Sequence, residues 1–135
     1  MCSTMEIVNS LPPNYTEILA VFPSAANHGV IFTYGDTIFN PSGGSISPEL
    51  FAHEGLHSGR QGSDVDRWWA KYLVDTEFRL EEELLGHRAE YRAFIARHKD
   101  REQVNQYLQA VAQRLSSPLY GNIITMNKAR KEIMK

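Results

Sequence analysis

The sequence predicts an α+β domain, and three observations carry that expectation. The first forty or so residues mix β-branched and aromatic residues with proline and glycine, a β-and-loop pattern. From Ser47 onward, residues suited to capping recur ahead of stretches with helical apolar spacing. The length of 135 residues suits one domain, residues 1–135, with a small core. Strands first and helices afterwards is the α+β order.

Val30-Ile31-Phe32-Thr33-Tyr34 reads as a strand, Gly35-Asp36 as a tight turn and Thr37-Ile38-Phe39 as the returning strand, together a hairpin. Pro41-Ser42-Gly43-Gly44 is a loop. Ser47 caps the next helix and Pro48 takes its first turn, with Leu50, Phe51 and Leu56 expected toward the core and Gly59 and Gly62 marking its end. Gly55 lies inside this helix, where it costs about 1 kcal/mol against alanine; the expectation is a close approach of backbone or substrate there. A second helix starts at Asp64 and carries Trp68, Trp69, Tyr72 and Leu73, which read as packing residues. A third runs from Thr76 to His98 with the apolar row Leu80, Leu84, Tyr91 and Phe94 or Ile95. Asp100 caps a fourth, with Gln103 in the capping-box position and the row Val104, Leu108, Val111 and Leu115; Pro118 follows its end. A tail helix spans Asn127 to Met134.

Composition narrows the function classes. Apolar residues make up 42% and charged residues 22%, ordinary for a globular chain, and the net charge of −2 gives no reason to expect nucleic acid. Lys128, Arg130, Lys131 and Lys135 read as the solvated face and end of the tail helix. Cys2 is the sole cysteine, so no intrachain disulfide forms, which fits a reducing compartment. Met1 to Val8 lacks the basic-then-apolar build of a signal peptide, and no apolar run reaches membrane-spanning length. A cytoplasmic protein without a membrane partner is expected.

The chemistry centres on His53-Glu54-Gly55-Leu56-His57, the pattern H-E-x-x-H. Residues four apart on a helix share a face, so both imidazoles reach one zinc ion (Zn2+) while Glu54 stands beside it as a base. A catalytic zinc takes a third protein ligand. The third helix offers Glu77, Glu81, Glu82, Glu83, His87 and Glu90. Glu83 and His87, one turn apart beside the Leu80–Leu84 stripe, point inward along one edge; Glu82 is intermediate and Glu81 points away. Two hydrogen-bonded surface histidines and a solvated Glu81-Glu82-Glu83 face are the plainer readings of the same residues. His28 and His98 have no partner at ligand spacing and read as surface residues. His87, Tyr91 and Tyr120 are the residues available to support the site or to steady an oxyanion.

The chain here resembles the gluzincin-type metallopeptidases, which carry H-E-x-x-H on one helix and a zinc-binding glutamate on a later one. Glu83-Leu84-Leu85-Gly86-His87 is similar to their E-x-x-A-D-like stretch. The likeness is nearer to short bacterial and phage proteins of the minigluzincin type. It runs through Tyr34-Gly35-Asp36-Thr37-Ile38, the motif with Arg60-Gln61, Trp69 and Tyr72 to Phe78-Arg79-Leu80, then Glu83, Tyr91 and Pro118-Leu119-Tyr120-Gly121. The resemblance implies a zincin-like domain in which His53, His57 and Glu83 bind zinc and Glu54 is general base and acid for hydrolysis of a peptide or protein substrate. The departure is Gly86-His87 where the family has a small residue followed by aspartate. That aspartate would orient a histidine ligand, so another group does its work or His87 itself binds metal. By the same likeness, the strand Val30–Tyr34 is expected to border the site and to pair with an extended substrate by β-augmentation, giving broad preference with one apolar pocket. The alternative is a non-catalytic zinc-binding module that keeps the fold and cleaves nothing. A peptide deformylase would need a cysteine ligand, and Cys2 is poorly placed for one.

Overall fold

A computed structural model describes residues 5–135. Cys2 lies outside the described residues. In chain order the elements are β1 (Glu6–Val8), α1 (Tyr15–Val21), a 3-10 turn (Pro23–Ala26), β2 (Phe32–Tyr34), β3 (Thr37–Phe39), α2 (Pro48–Gln61), α3 (Val65–Val74), α4 (Thr76–Arg97), α5 (Arg101–Leu115), a second 3-10 turn (Pro118–Tyr120) and α6 (Met126–Ile133). This is a small, mostly helical α+β domain. No helix among the described residues is long and apolar enough to cross a membrane.

The expected hairpin is present. Thr33 lies opposite Ile38 in the antiparallel β2–β3 pair, and β1 adds to β3 in parallel, giving the order β1-β3-β2. Gly35 opens the two-residue turn at φ +65°, which favours glycine. The caps lie where the side chains allow: Ser47 accepts from the Leu50 N–H, Asp64 from Arg67 and Asp100 from Gln103. Asp75 does the same for Phe78 and so ends α3 and starts α4 within two residues.

The reading of the first forty residues as strand and loop is corrected by α1 and the turn after it. Pro12-Pro13-Asn14 precedes this helix, and Ile18 and Phe22, four apart, are buried together. Its Tyr, Thr, Ile and Val content favours strand locally, and tertiary burial overrides that preference.

Two apolar cores form. One gathers Ile18, Phe22, Phe32, Trp68, Trp69 and Tyr72; the other gathers Leu108, Val111, Ala112, Leu115, Ala129 and Ile133 from α5 and α6. Between them, α2 packs along α4, and this seam is polar. The buried residues of α2 are Glu49, His53, Glu54, His57 and Gln61. Those of α4 are Arg79, Glu82, Glu83, Gly86, His87 and Glu90. Both apolar-stripe expectations are therefore corrected. Phe51 is 40% exposed, Leu50 and Leu56 are half-buried, and Leu80 and Leu84 lie on the shoulder of α4. Burying this many polar side chains costs free energy unless each finds a partner.

Candidate metal centre

Most of the seam's polar groups are paired in ways that divide structure from chemistry. Glu82, which had seemed intermediate in direction, is fully buried. It accepts from Arg60 Nε at 2.7–2.8 Å and from Trp68 Nε1 at 3.0 Å, tying α2, α3 and α4 together. Glu77 and Glu81 are exposed. Glu49 is held by Arg97.

Glu83 has a different setting. One carboxylate oxygen lies 3.3 Å from His53 Nε2 and the other 3.3 Å from His57 Nε2. Tyr72 donates its hydroxyl to Oε2 at 2.7 Å. Ligand bonds of about 2.0–2.1 Å at a tetrahedral angle put neighbouring donors roughly 3.3 Å apart, the spacing of each imidazole nitrogen from its nearer Glu83 oxygen, and one donor atom from each of the three residues lies within 4.8 Å of the others. Two further observations fit a metal here. Neither ring nitrogen of buried His57 has a hydrogen-bond partner among the described residues, the contact to Glu83 lacking hydrogen-bond geometry; leaving such a group unsatisfied costs about 1–3 kcal/mol. Gly86 lies one turn after Glu83 on α4, under the two imidazoles. A Cβ there would come within 2.8 Å of His53 Nε2 and 3.1 Å of His57 Nε2. His53, His57 and Glu83 are thus positioned to hold a metal ion. Gly86→Ala is expected to force the imidazoles apart, weakening metal uptake and lowering stability by about 1–3 kcal/mol; chelator competition and urea unfolding measure both.

A second trio, His53, His87 and Glu90, also comes close together. His53 Nδ1 and Glu90 Oε1 are 2.8 Å apart, a hydrogen-bond distance and shorter than two donors at a tetrahedral angle on one ion would be. Glu90 also accepts from Tyr107 at 2.8 Å and from Arg114. His53 therefore donates Nδ1–H to Glu90 and turns Nε2 toward Glu83. Glu90 thus fixes the orientation of the His53 ring. From the sequence Glu90 reads only as a possible ligand, because a hydrogen-bond partner 37 residues away leaves no local signal.

His87 is fully buried. Its Nδ1 donates to the Glu83 backbone carbonyl at 2.6 Å. Burial, with His53 and Arg114 nearby, lowers its pKa to about 3, so it is neutral with a bare Nε2 and offers no donor to an oxyanion. Tyr91 packs with the α5–α6 core and is not among the residues lining either cleft beside the histidines. Of the residues expected around the site, Tyr120 is the one that borders the clefts beside it. Gly55 faces Met5 rather than the clefts, which corrects its expected role.

Glu54 is buried beside this cluster. Its Oε1 accepts the Thr33 hydroxyl at 2.7 Å, and its Oε2 lies 3.9 Å from His53 Nε2. Thr33 thus links β2 to the motif helix. Gln61, one turn beyond His57, donates its amide to the Thr33 carbonyl at 2.8 Å and accepts the Gly35 N–H at 2.7 Å. Trp69 Nε1 donates to the same carbonyl at 3.1 Å. These bonds take up the Thr33 carbonyl and anchor the turn after β2. Gly29 and Val30 also commit their N–H groups, to Ser42 and Asn27. The strand Val30–Tyr34 does border the clefts, but the Thr33 carbonyl and the Gly29 and Val30 N–H groups are already bonded within the chain, which narrows the room for the expected β-augmentation.

Comparison with family models, with curated proteins and with solved structures finds no match. The functional reading therefore stands on these residues and their geometry.

Two clefts flank the cluster. A narrow one of 70 Å³ reaches over Glu54 and Tyr72 into the first core, between Ile18, Phe22, Phe32 and Trp69. Trp68 and Trp69 are core residues, as expected, whose edges also line this cavity. A wider one of 250 Å³ runs along His28–Ile31 past His53 and Glu54 to Arg114. Exposed His28 sits at its rim; His98 stacks on Phe94 at a distance from the site.

Proposed function

We propose that this chain is a small zinc-dependent peptide hydrolase of the gluzincin kind, with a zincin-like arrangement of its motif helix. The observation that carries this is the pair of 3.3 Å contacts from the Glu83 carboxylate to His53 and His57 Nε2. His53, His57 and Glu83 would hold zinc, a choice that fits two imidazoles and one carboxylate. Bound there, zinc would lower the pKa of a water to about 7 and polarise a substrate carbonyl.

The chain's own residues do the rest. Thr33 holds Oε1 of Glu54, which leaves Oε2 turned toward the cluster to take the water's proton and pass it to the leaving amine. Tyr72 is committed to Glu83, so Tyr120 is the hydroxyl left to donate to the oxyanion. Burial raises the Tyr120 pKa, keeping its proton in place. The narrow cavity would take one apolar side chain beside the scissile bond. The test is zinc-dependent cleavage of a peptide library by purified protein, abolished by chelation and restored by zinc.

The second reading is a non-catalytic zinc module. Its support is burial: His53, Glu54, His57 and Glu83 are all less than 10% exposed. Against it, a closed structural site uses four protein ligands, and the cluster among the described residues offers three with a base alongside.

Metal uptake should be coupled to a proton. Burial opposes charge on His53, but Glu54, Glu83 and Glu90 outweigh it and raise the pKa to about 10. The metal-free site is then an imidazolium among carboxylates. Zinc needs the bare nitrogen, so binding at pH 8 is expected to release about one proton from this site. Calorimetry in buffers of different ionisation enthalpy measures it, and zero release would contradict the protonated site. The sign for stability follows. A pKa raised above 6.5 stabilises the metal-free fold fully below pH 6.5, and that contribution is lost as pH rises through about 10. His87, lowered to about 3, acts oppositely: its contribution is full above pH 6.5 and falls as pH drops toward 3.

A further inference from the structure

The two clefts differ in charge. No lysine or arginine lines the narrow one, whereas the wider one ends on Arg114. Arg114 spends Nη2 on Glu90, and its side chain remains 34% exposed. A guanidinium carries five N–H groups in a flat fork suited to a carboxylate. Among the described residues Nη2 is the only one of its nitrogens with a bonded acceptor, so the rest of the fork is left to the cleft. Glu90 and Tyr107 fix its direction before any ligand arrives.

With the Thr33 carbonyl and the Val30 N–H already bonded within the chain, a substrate laid along this strand has fewer backbone holds, and a cation at the end of the cleft offers another. The contacts run from Arg114 to Glu90, from Glu90 to His53 Nδ1, and across that ring to a metal on Nε2. This chain keeps the guanidinium within roughly 10 Å of the metal. An extended residue spans about 3.3–3.6 Å, so a carboxylate one to three residues beyond the scissile bond reaches it.

We infer that Arg114 receives a carboxylate of the substrate, and that the substrates are peptides whose free C-terminus lies one to three residues after the bond cleaved. This inference rests on the metallopeptidase reading. An acidic side chain offers the same chemistry, and the experiment separates the two sources.

The probe is a mercaptoacetyl-dipeptide, whose thiolate binds zinc, prepared as the free acid, as the C-terminal amide, and as an amide with aspartate as its last residue. Zinc content of the protein is measured first by elemental analysis. Binding of the three probes to the zinc-loaded wild type is then measured by calorimetry. The free acid is expected to bind roughly ten- to a hundredfold more tightly than the plain amide. Arg114→Gln should bring the ratio close to one, and Arg114→Lys should restore part of it. Equal binding of acid and amide by the zinc-loaded wild type, which needs no variant to fold, overturns the inference and leaves the metal reading standing. A full ratio in zinc-loaded Arg114→Gln also overturns it. An aspartyl amide as tight as the free acid supports the carboxylate site but overturns the assignment to the chain end. A wild type that takes up no zinc fails at the first step and removes the metal reading on which the inference stands.

Discussion

Glu54→Gln is expected to bind zinc as the wild type does while losing about 10²–10⁴ in hydrolysis rate. The glutamine has nearly the same size, and its amide oxygen can still accept the Thr33 hydroxyl that Glu54 accepts at 2.7 Å. Packing of the motif helix is therefore preserved. What disappears is the carboxylate oxygen that faces the cluster, 3.9 Å from His53 Nε2, the atom available to take a proton. Zinc content and peptide turnover measured on the same sample separate binding from chemistry. A variant with zinc bound and turnover intact would mean that Glu54 is not the base.

Glu83→Ala is expected to cost far more zinc affinity than His87→Ala. Both residues lie on α4, one turn apart. Only Glu83 turns its polar atoms toward both motif histidines. His53 and His57 hold its carboxylate well below the usual range despite burial, so it is a full anion at any working pH. Removing it deletes a ligand and the charge that opposes the metal. His87 shares a close trio with His53 and Glu90 but not with His57. Its loss opens a small cavity and frees the Glu83 carbonyl, a cost in stability of about 1–3 kcal/mol more than in metal affinity. Competition with a coloured chelator ranks the two variants. The reverse order would move the third ligand to His87 and the site away from the gluzincin pattern.

The sequence disclosed the local features well and the faces of the helices poorly. The hairpin about Gly35, the caps at Ser47, Asp64 and Asp100, and the extent of α4 each depend on a few neighbouring residues; the caps and α4 lie within about one residue of their expected places, while β2 begins at Phe32, two residues after the expected Val30. Leu50, Phe51, Leu80 and Leu84 misled because apolar periodicity presumes an apolar buried face. Here the buried face of both helices is the reactive one, and the apolar residues were pushed to its margins. The motif pair could be seen in five consecutive letters. Its supports could not: Tyr72, Glu90, Arg114 and the Thr33 hydroxyl reach the site from four other elements and have no spacing rule to reveal them. Gly86 lay between the two signals. Together with His87 it read as a departure from the E-x-x-A-D-like stretch, and the room a glycine leaves there is visible only once His53 and His57 are seen above it.

The most direct measurement is a crystal of the protein grown with zinc, with diffraction recorded on both sides of the zinc absorption edge. One anomalous peak is expected per chain, about 2.0–2.1 Å from His53 Nε2, His57 Nε2 and a Glu83 carboxylate oxygen. No peak between these three residues, or a peak held instead by His53, His87 and Glu90, would contradict the proposed centre.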